Sequence, residues 1–182
     1  MVVDNEWASS KIAKLAKSQK GVESKNVILS PMFWTNCSKI ISISEPLVRT
    51  LRMVDGDKKP SMGYLYEAMR KAMEKVKEVC NGKVEQYGPY LSIIDRRWKN
   101  KLCKPIHVAA YFLNPQYQYS KSCKISSISV QKNFLDVLEK LYGDDVEAQV
   151  RIAKEVMLFR NALQGFQCPM AIAACSTMLP GK

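Results

Sequence analysis

The strongest constraint on the fold is a run of apolar residues at helical spacing between Ser61 and Cys80. Steps of three residues and one residue keep these apolar side chains on one face of an α-helix. The series comprises Met62, Leu65, Tyr66, Met69, Ala72, Met73, Val76 and Val79. Pro60 precedes the run as a helix-start signal, and Asn81-Gly82 follows it as a stop signal. The pattern therefore predicts an amphipathic helix over this span.

Similar periodicity elsewhere predicts an all-α protein, an irregular bundle of about six or seven helices. The further helices are expected at 32–54, 89–102, 106–113, 129–142 and 144–163. Pro46 should kink or divide the first of these, and the short turn 55–60 should make it an antiparallel neighbour of the helix at 61–80. The composition of 106–113 also suits a strand, although its helical neighbours favour a helix. Gly143 should separate the last two helices, with Asp144 as the N-cap of the second.

The connections define the expected domain organisation. The segment 116–129 is rich in Ser, Lys, Tyr and Gln and should be the longest loop. No further element is recognisable after residue 166, so residues 1–166 should form one helical domain and residues 167–182 a poorly structured C-terminal tail. In the helix at 89–102, the side chains expected to face inward are Leu91, Ile94, Trp98 and Leu102.

Charge and cysteine content constrain the partner and the compartment. The 182 residues include 28 Lys and Arg against 17 Asp and Glu, a net charge of +11, which implies affinity for an anionic partner. The six cysteines lack paired spacing, and neither a secretory signal nor an apolar run near the ~20 residues of a membrane span is visible. We therefore expect a reduced, soluble protein of the nucleus or cytoplasm with no membrane partner. The lysine-rich segment 9–20 makes a mitochondrial location a weaker alternative.

Residues suited to catalysis or metal binding are few. The single histidine, His107, lies in an apolar segment, which favours a packed, hydrogen-bonded core histidine over a nucleophile-activating base. Cys103 and His107 have helical i, i+4 spacing, but Pro105 lies between them and no Cys-x-x-Cys supplies further zinc ligands. Asp55 and Asp57 lie at a helix boundary, where turn and capping roles are common. We expect no enzymatic activity, no metal and no cofactor.

Basic residues are concentrated in the middle of the chain. Segment 58–104 holds 12 cations against five anions, which accounts for seven of the eleven net positive charges. The nucleic-acid-binding residues expected from this pattern are Arg96, Arg97, Lys99, Lys101 and Lys104. Trp98 should anchor the segment in the core while the cations follow a phosphate backbone, and His107 is expected as a second anchor. A solvated helical face is the alternative. Because no base-reading motif is visible, any binding should be weak and non-specific.

Several segments in the same order resemble plant hAT-type transposases and their domesticated relatives, which belong to the ribonuclease H-like superfamily. They include Glu6-Trp7-Ala8-Ser9-Ser10, Phe33-Trp34, the stretch from Glu45 to Met69, Ile94-Asp95-Arg96-Arg97-Trp98, and His107-Val108-Ala109-Ala110-Tyr111-Phe112-Leu113-Asn114-Pro115. The approach Cys103-Lys104-Pro105-Ile106-His107 departs mildly from the family pattern. The resemblance covers most of the chain.

The resemblance implies that this chain corresponds to the helical region inserted in the catalytic core of such transposases. The family's two earlier catalytic aspartates would then lie upstream of Met1 and its last glutamate downstream of Lys182, so Asp55, Asp57 and Asp95 are not assigned catalytic roles. Two functions follow as expectations. One is a non-enzymatic, transposase-derived protein that binds nucleic acid weakly. The other is a protein-interaction module recruited as a regulator, selfish element or toxic factor, and self-association into a homo-oligomer is a further alternative.

Overall fold

A computed structural model describes residues 18–56, 61–120 and 127–177, together with Lys11 and Leu15. All regular structure in these ranges is helical and none is strand, which confirms the predicted all-α class. The described ranges hold nine α-helices, more than the six or seven expected, because those at Gln19–Leu29, Pro115–Gln118 and Pro169–Thr177 were not predicted. The helices are α1 (Gln19–Leu29), α2 (Pro31–Val54), α3 (Met62–Val79), α4 (Val84–Arg97), α5 (Pro105–Phe112), α6 (Pro115–Gln118), α7 (Ile128–Tyr142), α8 (Val146–Arg160) and α9 (Pro169–Thr177).

The chain divides into two compact units, Met1–Glu45 and Pro46–Lys182, a boundary different from the one expected after residue 166. In the first unit, Ser18 caps α1 by accepting a hydrogen bond from the backbone N–H of Gly21 at 3.3 Å. The Trp34 indole donates to the Ile28 carbonyl at 2.6 Å and so fixes the one-residue connection from α1 to α2. None of the side chains of α1 is fully buried.

The sequence predicted that Pro46 would either kink or divide the helix at 32–54. It lies inside α2 and does not divide it. A proline in a helix interior cannot donate its backbone hydrogen bond and ordinarily costs about 3 kcal/mol. The helix nevertheless continues to Val54, and the Thr50 hydroxyl donates to the Pro46 carbonyl at 3.0 Å one turn later. Thr50 is itself buried, so this bond satisfies its hydroxyl away from water.

The core of the second unit is built around α5, the short apolar helix whose helical rather than extended form was expected from its neighbours. Helix α5 packs against α3 on one side and α7 on another. Its fully buried core comprises Val108, Ala109, Tyr111, Phe112, Val130, Phe134 and Leu138. The Phe112 and Phe134 rings lie 4.9 Å apart, and the Arg160 guanidinium lies 5.6 Å from the Phe112 ring centroid. Helix α5 therefore supplies four of the seven side chains of this core, and α7 supplies the other three.

Helix α3 matches the predicted amphipathic helix to within one residue at each end. Its residue Glu67 is 1% exposed, and its carboxylate accepts two hydrogen bonds from the Arg70 guanidinium, both at 2.7 Å. These bonds raise the pKa of Arg70. Near the start of α3, Gly63 approaches α5 closely, because an added Cβ would lie 3.3 Å from the Ala110 carbonyl oxygen. Glycine permits this approach.

Asn114 joins three helices. It is buried, its amide donates to the Gly63 carbonyl at 3.1 Å, and its side-chain oxygen accepts from the Gln116 N–H at 3.0 Å. It therefore connects the end of α5 to α3 and caps α6. The predicted loop 116–129 is shorter than expected, because α6 runs to Gln118 and α7 begins at Ile128, while residues 121–126 lie outside the described ranges.

Gly143 separates α7 from α8, as predicted. Its backbone φ of +46° lies in a region that residues with a Cβ rarely adopt. The N-cap of α8 is Asp145 and not Asp144, since the Asp145 carboxylate accepts a hydrogen bond from the Ala148 N–H at 2.9 Å. The turn between α7 and α8 contains both Gly143 and Asp144, so the N-cap lies one residue later than predicted.

The prediction of a poorly structured tail from residue 167 is wrong through Thr177. A 3₁₀ turn at Gln164–Gln167 is followed by α9, and α9 packs against α6. The Tyr119 hydroxyl also donates to the Phe159 carbonyl at 2.6 Å, which ties the end of α6 to α8. Residues 178–182 lie outside the described ranges. No helix in the described ranges is long and apolar enough to cross a membrane.

Candidate nucleic-acid interface

The helix that carries the basic segment begins earlier than predicted, at Val84 and not at Pro89. Asn81 and Gly82, both with positive φ, end α3 and reverse the chain, as the stop signal predicted. Pro89 then lies in the interior of α4, where the sequence favoured a helix start. Helix α4 packs against α3, and this tertiary contact outweighs the local preference of proline for the first turn.

The last turn of this helix is a π-turn spanning Trp98–Leu102. Its signature is the Cys103 N–H donating to the Trp98 carbonyl at 2.8 Å, five residues back instead of four. The wider turn shifts the following side chains around the axis, so Leu102 is 57% exposed although it was expected to face inward. Cys103 packs against the core instead, and burial raises the pKa of its thiol.

All five predicted binding residues are exposed. The Lys99 ammonium lies 2.8 Å from the Asp95 carboxylate, and this hydrogen bond raises the pKa of Lys99. Among the described residues, no carboxylate forms an ion pair with the other four cations, Arg96, Arg97, Lys101 and Lys104. Trp98, which was predicted to anchor the segment, is 5% exposed and thus buried between these exposed cations.

His107 occupies a different position from the one predicted. It is half-buried at the start of α5, and its Nδ1 accepts a hydrogen bond from the backbone N–H of Lys104 at 3.2 Å. The predicted hydrogen bond exists, but the histidine lies at a helix terminus and not in the core. The Lys104 backbone is extended at the N-cap of α5. The hydrogen bond that His107 Nδ1 accepts from the Lys104 N–H stabilises this conformation, so His107 positions the last cation of the segment.

The basic segment thus presents cations on one short stretch of chain. Within the described ranges, no group of three or more His, Cys, Asp or Glu side chains could hold a metal ion. Asp57, one of the two turn acids considered from the sequence, lies outside the described ranges. The chemistry available at the segment is electrostatic attraction and hydrogen-bond donation to anions.

The sequence did not predict an open apolar groove of 610 Å³ beside the core. It lies among α5, α7 and α8, and its lining includes Met62, Ile106, Leu113, Leu141, Tyr142 and Phe159. Leu141 at 67% and Leu113 at 43% exposure border it. The signal that could have indicated it is the breadth of the apolar face of α7, which has more apolar residues than one neighbouring helix can cover.

Comparison with protein-family models, curated proteins and solved structures finds no match to this chain. The resemblance to hAT-type transposases therefore stays a prediction from the sequence.

Proposed function

We propose that this chain is a non-enzymatic, transposase-derived protein of the nucleus or cytoplasm that binds nucleic acid weakly and without sequence specificity. The proposed interface is the end of α4, the π-turn and the start of α5, with Arg96, Arg97, Lys99, Lys101 and Lys104 as phosphate contacts. Trp98 and His107 hold the backbone that carries them.

The observation that supports this proposal is the exposure of five cations around the buried Trp98. Among these five, only Lys99 forms an ion pair with a described carboxylate, that of Asp95. Arg96, Arg97, Lys101 and Lys104 carry charge that no described carboxylate neutralises, so an approaching phosphate need not displace an ion pair from them. Lys99 would first have to leave Asp95, at 2.8 Å, and should contribute less.

The strength of binding should depend steeply on salt. Four phosphate contacts give a slope of about −3.6 in log affinity against log salt, since each contact contributes about −0.9 on duplex DNA. Affinity should then fall about 150-fold between about 50 mM and 200 mM salt. Fluorescence anisotropy of a labelled duplex of arbitrary sequence, titrated with the full chain at several salt concentrations, measures this slope.

Two sets of variants test the location of the interface. Replacing Lys101 and Lys104 by alanine should reduce the slope by about 1.8. Replacing Lys20 and Lys25 on α1 by alanine removes the same charge from exposed positions in the first compact unit and should leave the slope nearly unchanged. Equal losses from both pairs would show attraction by net charge without an interface, and absence of binding at low salt would refute the proposal.

A protein-interaction module is the second candidate function, and the exposed apolar surface favours it. On α2 alone, Met32, Trp34 and Ile41 are 72%, 56% and 64% exposed. Exposed apolar surface of this kind is typical of protein contacts when it is contiguous. Binding of an apolar fluorescent dye and self-association on a sizing column would support this function. A monodisperse monomer that binds no dye would count against it.

A further inference from the structure

Helix α4 has a packed face and an exposed face. The packed face is a row of half-buried side chains that ends at the buried Trp98, and it comprises Tyr87, Leu91 and Ile94. A second row at the spacing i, i+3, i+7, here called the outer row, is exposed and comprises Tyr90, Ile93 and Arg97. Tyr90 is 37% exposed and Ile93 is 54% exposed. The packing of α4 therefore does not account for an aromatic and an aliphatic side chain on its exposed face.

The polar groups of the outer row are not engaged by other described residues. Within the described ranges, the Tyr90 hydroxyl has no hydrogen-bond partner and its ring has no aromatic neighbour. Neither Arg97 nor Arg96 beside it forms an ion pair with a described carboxylate. A ligand could therefore reach the Tyr90 ring and the Arg97 guanidinium without displacing a polar contact.

An aromatic ring and a guanidinium on one helix face suit two different parts of a nucleic-acid strand. Bases stack on exposed aromatic rings, and guanidinium groups donate hydrogen bonds to phosphates. From Tyr90 to Arg97 the helix rises about 10 Å. This distance equals the rise of about three nucleotides along one strand. A short strand could therefore place one base on Tyr90 and a phosphate at Arg97.

Base faces are accessible in a single strand but not in a duplex. The bases of a duplex stack on one another, so a protein contacts their edges and the phosphates. A surface that attracts nucleic acid by charge alone favours the duplex, which carries one charge per about 1.7 Å of axis against about 3.4 Å for one strand. Stacking on Tyr90 opposes this trend, because only a single strand can supply the base. The outer row therefore favours a single strand.

The mixing of side chains in the outer row distinguishes this partner from a membrane surface. A helix that lies on a membrane separates its apolar face from its charged face. On α4, Arg97 lies on the same face as Tyr90 and Ile93, so a cation interrupts the apolar surface. Aromatic side chains next to cations are typical of surfaces that bind single strands.

We propose that the outer row of α4 extends the nucleic-acid interface and makes it selective for single-stranded over double-stranded nucleic acid. One base stacks on Tyr90 beside Ile93, and a phosphate binds at Arg97. This inference rests on the proposed function, because it requires the basic segment to bind nucleic acid. Stacking accepts every base, so it provides selectivity for the strand form without sequence specificity.

The test compares an unstructured, labelled single strand of about 16 nucleotides with its duplex. The strand is made once in DNA and once in RNA, because both present the same base faces. The full chain is added at about 50 mM salt and binding is followed by fluorescence anisotropy. The single strand of at least one of the two nucleic acids should bind about threefold or more tighter than its duplex.

Replacing Tyr90 by alanine should weaken single-strand binding about tenfold, the contribution of one stacked base. The loss for the duplex should be several-fold smaller, because a duplex presents no free base face. The salt slope for the single strand should stay the same, since this variant removes no charge. A change in slope would show that the variant disturbs the phosphate contacts instead of stacking.

Three control variants separate stacking from other effects. Tyr90→Phe keeps the ring and should keep the preference for the single strand, whereas Tyr90→Leu keeps apolar bulk without a ring and should lose most of it. Phe33→Ala removes an aromatic side chain of similar exposure, 36%, from the first compact unit and should leave the preference unchanged.

The outcomes distinguish this inference from the function on which it rests. Binding of both strand forms with no preference for the single strand in DNA or RNA, or a preference that survives Tyr90→Leu, would overturn the inference and leave the proposed function standing. Absence of binding to either form at low salt would overturn both. Binding to vesicles of phosphatidylserine and phosphatidylcholine that Tyr90→Ala weakens as much as single-strand binding would assign the outer row to a membrane surface and overturn the inference.

Discussion

Replacing Phe112 by alanine should cost about 4 kcal/mol of the free energy of unfolding. The side chain is 2% exposed at the C-terminal end of α5, and its ring lies 4.9 Å from that of Phe134, centroid to centroid. Truncation would open a cavity in the core and remove an aromatic pair worth about 1 kcal/mol. It would also remove the ring beneath the Arg160 guanidinium, 5.6 Å from its centroid. With an m-value of about 2 kcal/mol/M in urea, the unfolding midpoint should fall by about 2 M.

Urea unfolding followed by far-UV circular dichroism measures this midpoint. If the alanine variant is already unfolded without urea, Phe112→Leu can be measured in its place. Its expected cost in the free energy of unfolding is about 1–1.5 kcal/mol. Leu113→Ala, at the C-cap of the same helix but 43% exposed, is the matched control and should cost less than about 1 kcal/mol. Similar costs at the two positions, with unchanged m-values, would refute the assignment of α5 as the centre of the core.

Three further predictions concern local features. Asp145→Ala should cost about 1 kcal/mol in thermal unfolding, because it removes the N-cap of α8, whereas Asp144→Ala should cost no more than about half of that. Gly143→Ala should destabilise by about 1–2 kcal/mol because its φ is +46°, whereas Gly88→Ala in α4, where a Cβ meets nothing within 4 Å, should stabilise by about 0.5–1 kcal/mol. Cys168 is exposed and its pKa is lowered by backbone N–H groups at the start of α9, so its thiolate persists to lower pH. Peptide mapping after alkylation at several pH values should find Cys168 modified with a midpoint below that of an ordinary thiol.

The predictability of each helix depended on whether its signal was local. Helix α3 was predicted almost to the residue because its apolar stripe and the Asn81-Gly82 stop both act within the segment. The start of α4 was missed because Pro89 resembles a first-turn proline, whereas it lies in the interior of a helix that packs against α3, a contact that the local sequence does not reveal. Helix α9 was missed because its apolar residues have no period, and its partner α6 is distant in sequence.

The basic segment was predicted in composition but not in geometry. The exposure of Arg96 and Lys101 follows from their charge, and the burial of Trp98 follows from its size. The π-turn that exposes Leu102 depends on one hydrogen bond of i→i−5 type, and side-chain pattern carries no signal for it. A hydrogen bond at His107 was predicted, but its partner, the Lys104 N–H, was not, because the sequence placed the histidine among core residues.

The central place of α5 has a consequence for motion as well as for stability. Backbone amides in a helix held between two others exchange with solvent only when the whole unit opens, whereas those in a helix without buried side chains exchange through local fraying. The amide of Leu113, which donates to the Ala109 carbonyl at the end of α5, should therefore be among the slowest to exchange deuterium, and those of α1 among the fastest. The exchange rate of amides at the eight-residue helix α5 would then measure how often the whole second unit opens.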